Sequence, residues 1–482
     1  MALVIILDVL VVLWLIGAAL KNGYEAVLPL AAGLLIVFPS ASRIPLPGLF
    51  DLTTQRVIVI TLAGLYLALG RHIEQGSAAP VPLRWILFTL VSWMLLSSAT
   101  SVVPTISFKT SLSQYCDYCL VYFIFTRSLR TSQATVKVLG GMVGGVVVCA
   151  FFGIIETYWN WKVTSLFPVV ASRFSDLESV DIRGVRMQST FDHSILFGAA
   201  LAMAIPMVLY LLTAATNATR RAYLWSALLL MMLCIYKTNS RGPWLALLIS
   251  VALLLLIGSG KLRSLILVIA SVACLVLVVR PGVRHSILDL YGATLDTDSP
   301  QGESYQWRYV LYHVARAELS KDLGRSIWGF GPESFYYLGL TTDTVVDGQV
   351  HTVKVESCDS AIVELMMDTG YVGLCLVMLL LLKAAFVSLK TYVVSREPTR
   401  PVTLVAFVNL CAFCFLMTNV ELFGWGQQSY MLWIVIAIGM TYSSLGQTEL
   451  AKNPAGAITQ DKLELATRRP VSRGRQRWLP SE

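Results

Sequence analysis

The chain has 482 residues, of which 56% are hydrophobic and 14% charged, with a mean hydropathy of +0.68 and a net charge of +8. Soluble globular domains carry about a quarter charged residues, so this composition excludes an ordinary soluble protein. The positive balance is no argument for nucleic acid until it has been divided between the two sides of a membrane.

Apolar runs of roughly 17–22 residues recur along the chain, the length of helical bilayer spans. A transmembrane barrel would show short alternating segments between turns, and the sequence has none. The first run, LVIILDVLVVLWLIGAAL, has no basic residue before it and no small-residue cleavage site, so it reads as a retained span rather than a signal peptide. Spans are expected at about 3–20, 24–40, 57–70, 82–98, 111–126, 137–155, 192–213, 222–238, 242–259, 263–280, 371–389, 402–420 and 429–446. The expected fold is all-α: a polytopic helical membrane protein of about 12–13 spans, with a large external loop containing amphipathic helices.

The chain divides into N-terminal membrane helices (1–155), membrane helices with a first long loop (156–280), a large loop (281–370), C-terminal membrane helices (371–446) and a basic tail (447–482). The tail's composition predicts disorder and contact with anionic lipid. Basic residues set the orientation. With the tail in the cytoplasm, every short cytoplasmic loop is basic: Lys390, Arg396 and Arg400; Lys261 and Arg263; Arg220 and Arg221; Arg127, Arg130 and Lys137; Arg71 and Arg84; and Lys21. Both long loops then fall on the outer side. The segment ESYQWRYVLYHVARAELSKDL within the second places Tyr309, Tyr312, His313 and Arg316 at helical spacing, as an amphipathic helix over the membrane face.

Four outer-side clusters could carry chemistry. Arg183 and Arg186 precede Asp192 and His193, where a helix N-cap at Thr190 or Asp192 competes with a phosphate-and-sugar site. Lys237 and Arg241 sit between two apolar runs in KTNSRGPW. They read either as interfacial anchors or as a guanidinium beside a helix start, which favours an anion. Arg308 lies on the amphipathic segment, with His313 and Arg316. Finally, SIWGFGPESFYYLGL is followed by ESCDSAIVELMMDTGYVGLCLVM, with Gly329 and Gly331 at a turn and Asp359, Glu364 and Asp368 at the mouth of a span. Asp359 is either a cap or a general base. Nine cysteines are scattered, and the Cys116–Cys119 pair has no metal-ligand partner at a suitable spacing. No metal cluster and no cofactor motif is present in the sequence.

The order of these elements resembles the O-antigen ligase and O-antigen or exopolysaccharide polymerase family of bacterial inner membranes. The resemblance runs over roughly 180–380 and rests on RMQSTFDHSILFG, TNSRG, Arg308, GFGPESF and DTGYVGL. It implies metal-independent, inverting glycosyl transfer on the periplasmic face, from a glycan on an isoprenoid-pyrophosphate carrier to the hydroxyl of an acceptor glycan. Arg186, Arg241 and Arg308 would hold the pyrophosphate, with Lys237, His193, Arg183 and Glu364 as further binding residues. Ligases in the family carry His-Asn where this chain has Asp359-Ser360, which favours a polymerase with Asp359 as base. The implied partners are the two glycans, membrane lipids and, for a polymerase, a chain-length regulator. The rivals are ligase-like transfer to another acceptor and a lipid-linked saccharide flippase that makes no bond.

Overall fold

The computed structural model describes residues 1–46, 50–70, 81–129, 131–167, 186–296, 300–346, 349–355, 357–394, 400–422 and 426–452. Arg183 and the tail from 453 onward lie outside the described residues. A helix occupies each of the thirteen expected span positions: α1 (Ala2–Asn22), α2 (Val27–Val37), α3 (Thr54–Leu65), α4 (Arg84–Ala99), α5 (Pro104–Ser128), α6 (Ser132–Trp159), α7 (Ser194–Ala214), α8 (Ala218–Lys237), α9 (Arg241–Ile257) and α10 (Gly260–Val279), then, after the large loop, α14 (Ala361–Val394), α15 (Arg400–Leu416) and α16 (Gly426–Lys452). Among the described residues, six of these are long and apolar enough to cross a membrane by length and composition: α1, α6, α7, α8, α10 and α14. Shorter apolar helices cover α2, α3, α4, α9 and α15. The protein is an all-α polytopic membrane fold.

The centre of the bundle is α7, where every residue from Leu196 to Leu212 is buried. A helix apolar on all sides belongs in the interior, and α7 has that pattern (SILFGAALAMAIPMVLYLLTA). Helices α2 and α6 approach closely because small residues line their crossing. A Cβ on Gly141 would lie 2.0 Å from the Pro29 carbonyl oxygen, and one on Gly145 would lie 2.5 Å from that of Gly33. Such small-residue spacing replaces the hydrophobic drive that helices lack in lipid with backbone-to-backbone packing.

The large loop carries α11 (Pro281–Leu295), α12 (Pro300–Ser320) and α13 (Leu323–Trp328). The expected amphipathic helix is α12. Its Leu311, Ala315 and Leu319 are fully buried, four residues apart, in a second core with Phe330, Phe335, Met366 and Met367, while Tyr309 faces away, 67% exposed. The loop departs from the all-α expectation at one place. Strands β3 (Thr341–Val346) and β4 (Gln349–Lys354) pair antiparallel, from Thr341 opposite Lys354 to Val346 opposite Gln349. A two-residue pair also joins β1 (Arg43–Ile44) to β2 (Leu52–Thr53), earlier in the chain.

The Gly145 contact gives a test. Gly145→Leu must push α2 away from α6 and should cost about 1–3 kcal/mol. The detergent-solubilised protein should melt well below the native one, whereas Gly140→Leu, with nothing within 4 Å of its Cβ, should not.

Candidate functional site

At one end of the bundle α7, α9, α14 and α16 begin, and α2, α6, α8 and α15 finish. Hydrogen bonds between the connecting segments tie this end together. Gln427 Nε2 donates to the Ile36 and Thr190 carbonyls at 3.3 and 3.1 Å, Met187 N to the Lys237 carbonyl at 3.3 Å, and Ala361 N to the Val420 carbonyl at 3.1 Å. All the described sequence-predicted residues come to this end, each half-buried: Arg186, His193, Lys237, Arg241, Arg308, Asp359 and Glu364.

Arg241 is the first residue of α9, after Ser240 at the N-cap, so its backbone stands at the positive end of that helix. Two glycines let the turn sit where it does. A Cβ on Gly198 of α7 would lie 2.7 Å from the Pro243 ring, and one on Gly242 would lie 3.1 Å from Asn419 Cβ. Arg186 braces the same turn from the other side. Its Nε donates to the Thr238 carbonyl at 3.2 Å and its Nη2 to Ser240 Oγ at 2.5 Å. The segment bearing Arg186 is in turn fixed by Glu156, buried at the end of α6, whose Oε2 accepts from the backbone N–H groups of Gln188 and Ser189 at 3.0 and 2.6 Å.

Arg308 reaches down from α12 and clamps two loops. Its Nη2 donates to the Asn419 carbonyl at 3.1 Å and its Nε to the Asp359 carbonyl at 3.4 Å. Asn419 therefore lies between Gly242 on one side and Arg308 on the other. Ser360 Oγ donates to the Met417 carbonyl at 3.2 Å, so Asp359 is held immediately before the start of α14. Its carboxylate makes no hydrogen bond to another described residue, which sets aside the capping reading. The cap of α7 also differs from expectation. His193 Nδ1 accepts from Ile195 N at 3.1 Å, so His193 is the N-cap rather than Thr190 or Asp192. Asp192 accepts a hydrogen bond from the Ser40 hydroxyl instead.

Helix α14 breaks at Gly370 (φ 67°, ψ −176°), one residue before the expected span. The carbonyls left over by the break are all taken. Met367 O accepts from Phe330 N at 2.7 Å, Asp368 O from Gly331 N at 2.9 Å and Ser97 Oγ at 2.5 Å, and Thr369 O from Trp93 Nε1 at 2.9 Å. The expected turn at Gly329 and Gly331 is present, with φ of 75° and 89°. The stacked indoles of Trp93 and Trp328, 4.2 Å apart, close the junction.

Carboxylates gather near the same segments. Glu421 and Asp368 are each 7% exposed, and Tyr336 OH donates to Glu421 Oε2 at 2.9 Å. Glu364 lies close enough to Glu421 and Asp368 for their charges to act on it. Burial pushes the Cys358 thiol well above its usual range, and the Glu364 and Glu421 charges push it the same way. The thiol donates to the Ser360 carbonyl at 3.5 Å. A thiol held protonated is a poor nucleophile, so Cys358 packs rather than reacts. Among the described residues, no three or more His, Cys, Asp or Glu side chains are grouped to hold a metal. Glu156, Asn419 and Glu421 were missed by sequence reasoning. Each is a lone polar residue at the edge of an apolar run, the signal that picked out Arg241.

Residues 226–378 match the family model described as O-antigen ligase. No curated protein matches the chain. The matched region holds Lys237, Arg241, Arg308, Asp359, Glu364 and the Gly370 break, and leaves Arg186, His193 and Glu421 outside it.

The junction of α13 with α14 is testable. A Cβ on Gly370 would lie 2.2 Å from the Ile327 carbonyl oxygen, in a backbone region almost restricted to glycine. Gly370→Ala should cost about 1–3 kcal/mol in backbone strain alone. It should also loosen the loop, so that trypsin cuts at Arg325 faster than in the native protein; Gly140→Ala should leave that rate unchanged.

Proposed function

From the O-antigen ligase and polymerase family assignment of residues 226–378, we propose that the protein is a polysaccharide polymerase whose donor is a glycan on an isoprenoid pyrophosphate. The family's chemistry is glycan transfer in a membrane; carrier, acceptor and roles below are our reading. The observation that carries it is Arg241, braced by Arg186 and set at the start of α9 beside the Arg308 clamp. A guanidinium at a helix N-terminus is an anion site in which the fixed dipole and the forked donors act together.

In the reaction, the acceptor hydroxyl oxygen attacks the anomeric carbon, and the bond from that carbon to the phosphate oxygen breaks. The carrier pyrophosphate leaves with the bonding pair, and the configuration inverts. Arg241 stabilises the charge that develops on the leaving oxygen. Asp359, with a carboxylate not engaged elsewhere among the described residues, takes the acceptor's proton. Lys237 and His193 flank the anion site, and Arg183 belongs to the same cluster by sequence. Arg186 and Arg308 belong to the same cationic cluster, and their hydrogen bonds hold the turn and the loops in place. The pair Asp359-Ser360 replaces the His-Asn that ligases resembling this chain carry, which favours polymer growth over a single transfer.

The site end is read as the periplasmic face of a bacterial inner membrane. Lys21, Arg84, Arg127, Arg220, Arg221, Lys261, Arg263 and Lys390 lie at the helix ends remote from the site, as expected for the cytoplasmic side. A chain-length regulator would be a partner of such a polymerase.

The test is transfer by the purified protein in liposomes, with a pyrophosphate-lipid-linked repeat unit as substrate and EDTA present. The native protein should give a ladder of lengths on a gel. Arg241→Ala should lower the rate by roughly 10²–10³, the loss seen on removing one donor to a developing oxyanion, with normal insertion. Asp359→Asn should lose the ladder while still binding donor. A single product from the native protein would indicate a ligase, and undiminished polymer from Arg241→Ala would sink the assignment.

A further inference from the structure

Helix α12 carries an exposed aromatic cluster that the candidate site does not use. Tyr309, Tyr312, His313 and Arg316 are all exposed, Tyr309 to 67% and Tyr312 to 38%. The His313 ring lies 4.3 Å from that of Tyr309 at 63°, and 5.7 Å from that of Tyr312 at 81°. Each tyrosine is therefore held edge to face against one shared histidine. A contiguous exposed patch of this kind marks a contact surface.

Its place in the fold narrows the occupant. Arg308, Tyr312 and Arg316 follow one another at intervals of four residues, so they are neighbours along one line of the helix surface. Arg308, at the start of that line, donates to the Asn419 and Asp359 carbonyls. The line therefore runs from the candidate site along α12. The tyrosines lie outside the stripe of Leu311, Ala315 and Leu319, which packs on Met366 and Met367 of α14. The packed side of α12, not the aromatic one, is thus turned to the membrane helices, which disfavours a lipid surface as the occupant.

We propose that Tyr309, Tyr312, His313 and Arg316 form a platform on which a saccharide chain stacks beside the site. The C–H groups on one face of a sugar ring carry a slight positive charge and suit the negative face of an aromatic ring. The sugar's hydroxyls meet the tyrosine hydroxyls, the imidazole nitrogens and the Arg316 donors around those rings. A phosphate would use Arg316 alone. The contacts with His313 preorganise the tyrosines, so little side-chain freedom is lost when a sugar stacks. The platform rests on the polymerase reading for the identity of that chain, the growing polymer, but its binding of a sugar requires no transfer. A polymer held there stays close to the site between additions, so the platform sets product length rather than the rate of each transfer.

The protein in nanodiscs is probed by saturation-transfer NMR with short neutral oligosaccharides of gluco, galacto and manno configuration, and its products are sized in the liposome transfer assay. Native protein should bind at least one oligosaccharide. Tyr309→Ala combined with Tyr312→Ala should weaken that binding by about tenfold or more, the loss of two stacking faces. Tyr309→Phe combined with Tyr312→Phe keeps the faces and should keep most of the binding. Tyr337→Ala, at another exposed tyrosine of the same loop, should change nothing. The double alanine variant should melt with the native protein, because both side chains are exposed, and should give a shorter ladder at an unchanged rate of first transfer. Absence of sugar binding, or equal binding by the native protein and the double alanine variant, overturns the platform; that is the result expected if lipid or a partner protein covers the stripe. Tyrosine-dependent sugar binding by a protein that makes no polymer supports the platform and rejects the polymerase reading. A native ladder without sugar binding keeps the polymerase reading and rejects the platform.

Discussion

A helix that stops inside an apolar bundle must give its last carbonyls to some donor, because no bulk water is there to take them. At Gly370 the donors come from elsewhere in the chain: two backbone N–H groups from 330–331, a serine hydroxyl and a tryptophan N–H from α4. The requirement is mutual. A Cβ on Gly329 would strike the backbone of Asp368 and Gly370, and one on Gly370 would strike the backbone of Ser326 and Ile327. The break therefore locks the large loop to the membrane helices. It also ends the short helical segment that carries Glu364 and Asp368, and so fixes where the carboxylates lie relative to Arg308.

The arginines at this end do different work, and the hydrogen bonds separate them. Arg186 ties the start of α7 to the α8–α9 turn, and Arg308 ties α12 to the segments around Asp359 and Asn419. A guanidinium suits both tasks, since its planar fork satisfies two acceptors at once without giving up its charge. Both act at the end of the bundle where Arg241 begins α9. Asn419 packs on Gly242 and accepts from Arg308, two residues before Glu421, which accepts from Tyr336.

Much of this was legible in the sequence because hydropathy is a strong, long-period signal. The spans, the amphipathic α12 and the span starting after Gly370 all follow from apolar spacing and glycine. The candidate residues were legible as charged or polar exceptions at span ends, which also explains why Arg186, Arg241, Arg308 and Asp359 come to one end of the bundle. What was hidden depends on pairing across distance. Nothing local says that Glu156 receives the 188–189 backbone, or that Glu421 meets Glu364, 57 residues away in sequence (421 − 364). The β3–β4 hairpin did have a local mark. Thr and Val are concentrated on either side of Asp347-Gly348 in the sequence, a hairpin pattern that the strength of the helical signal obscured.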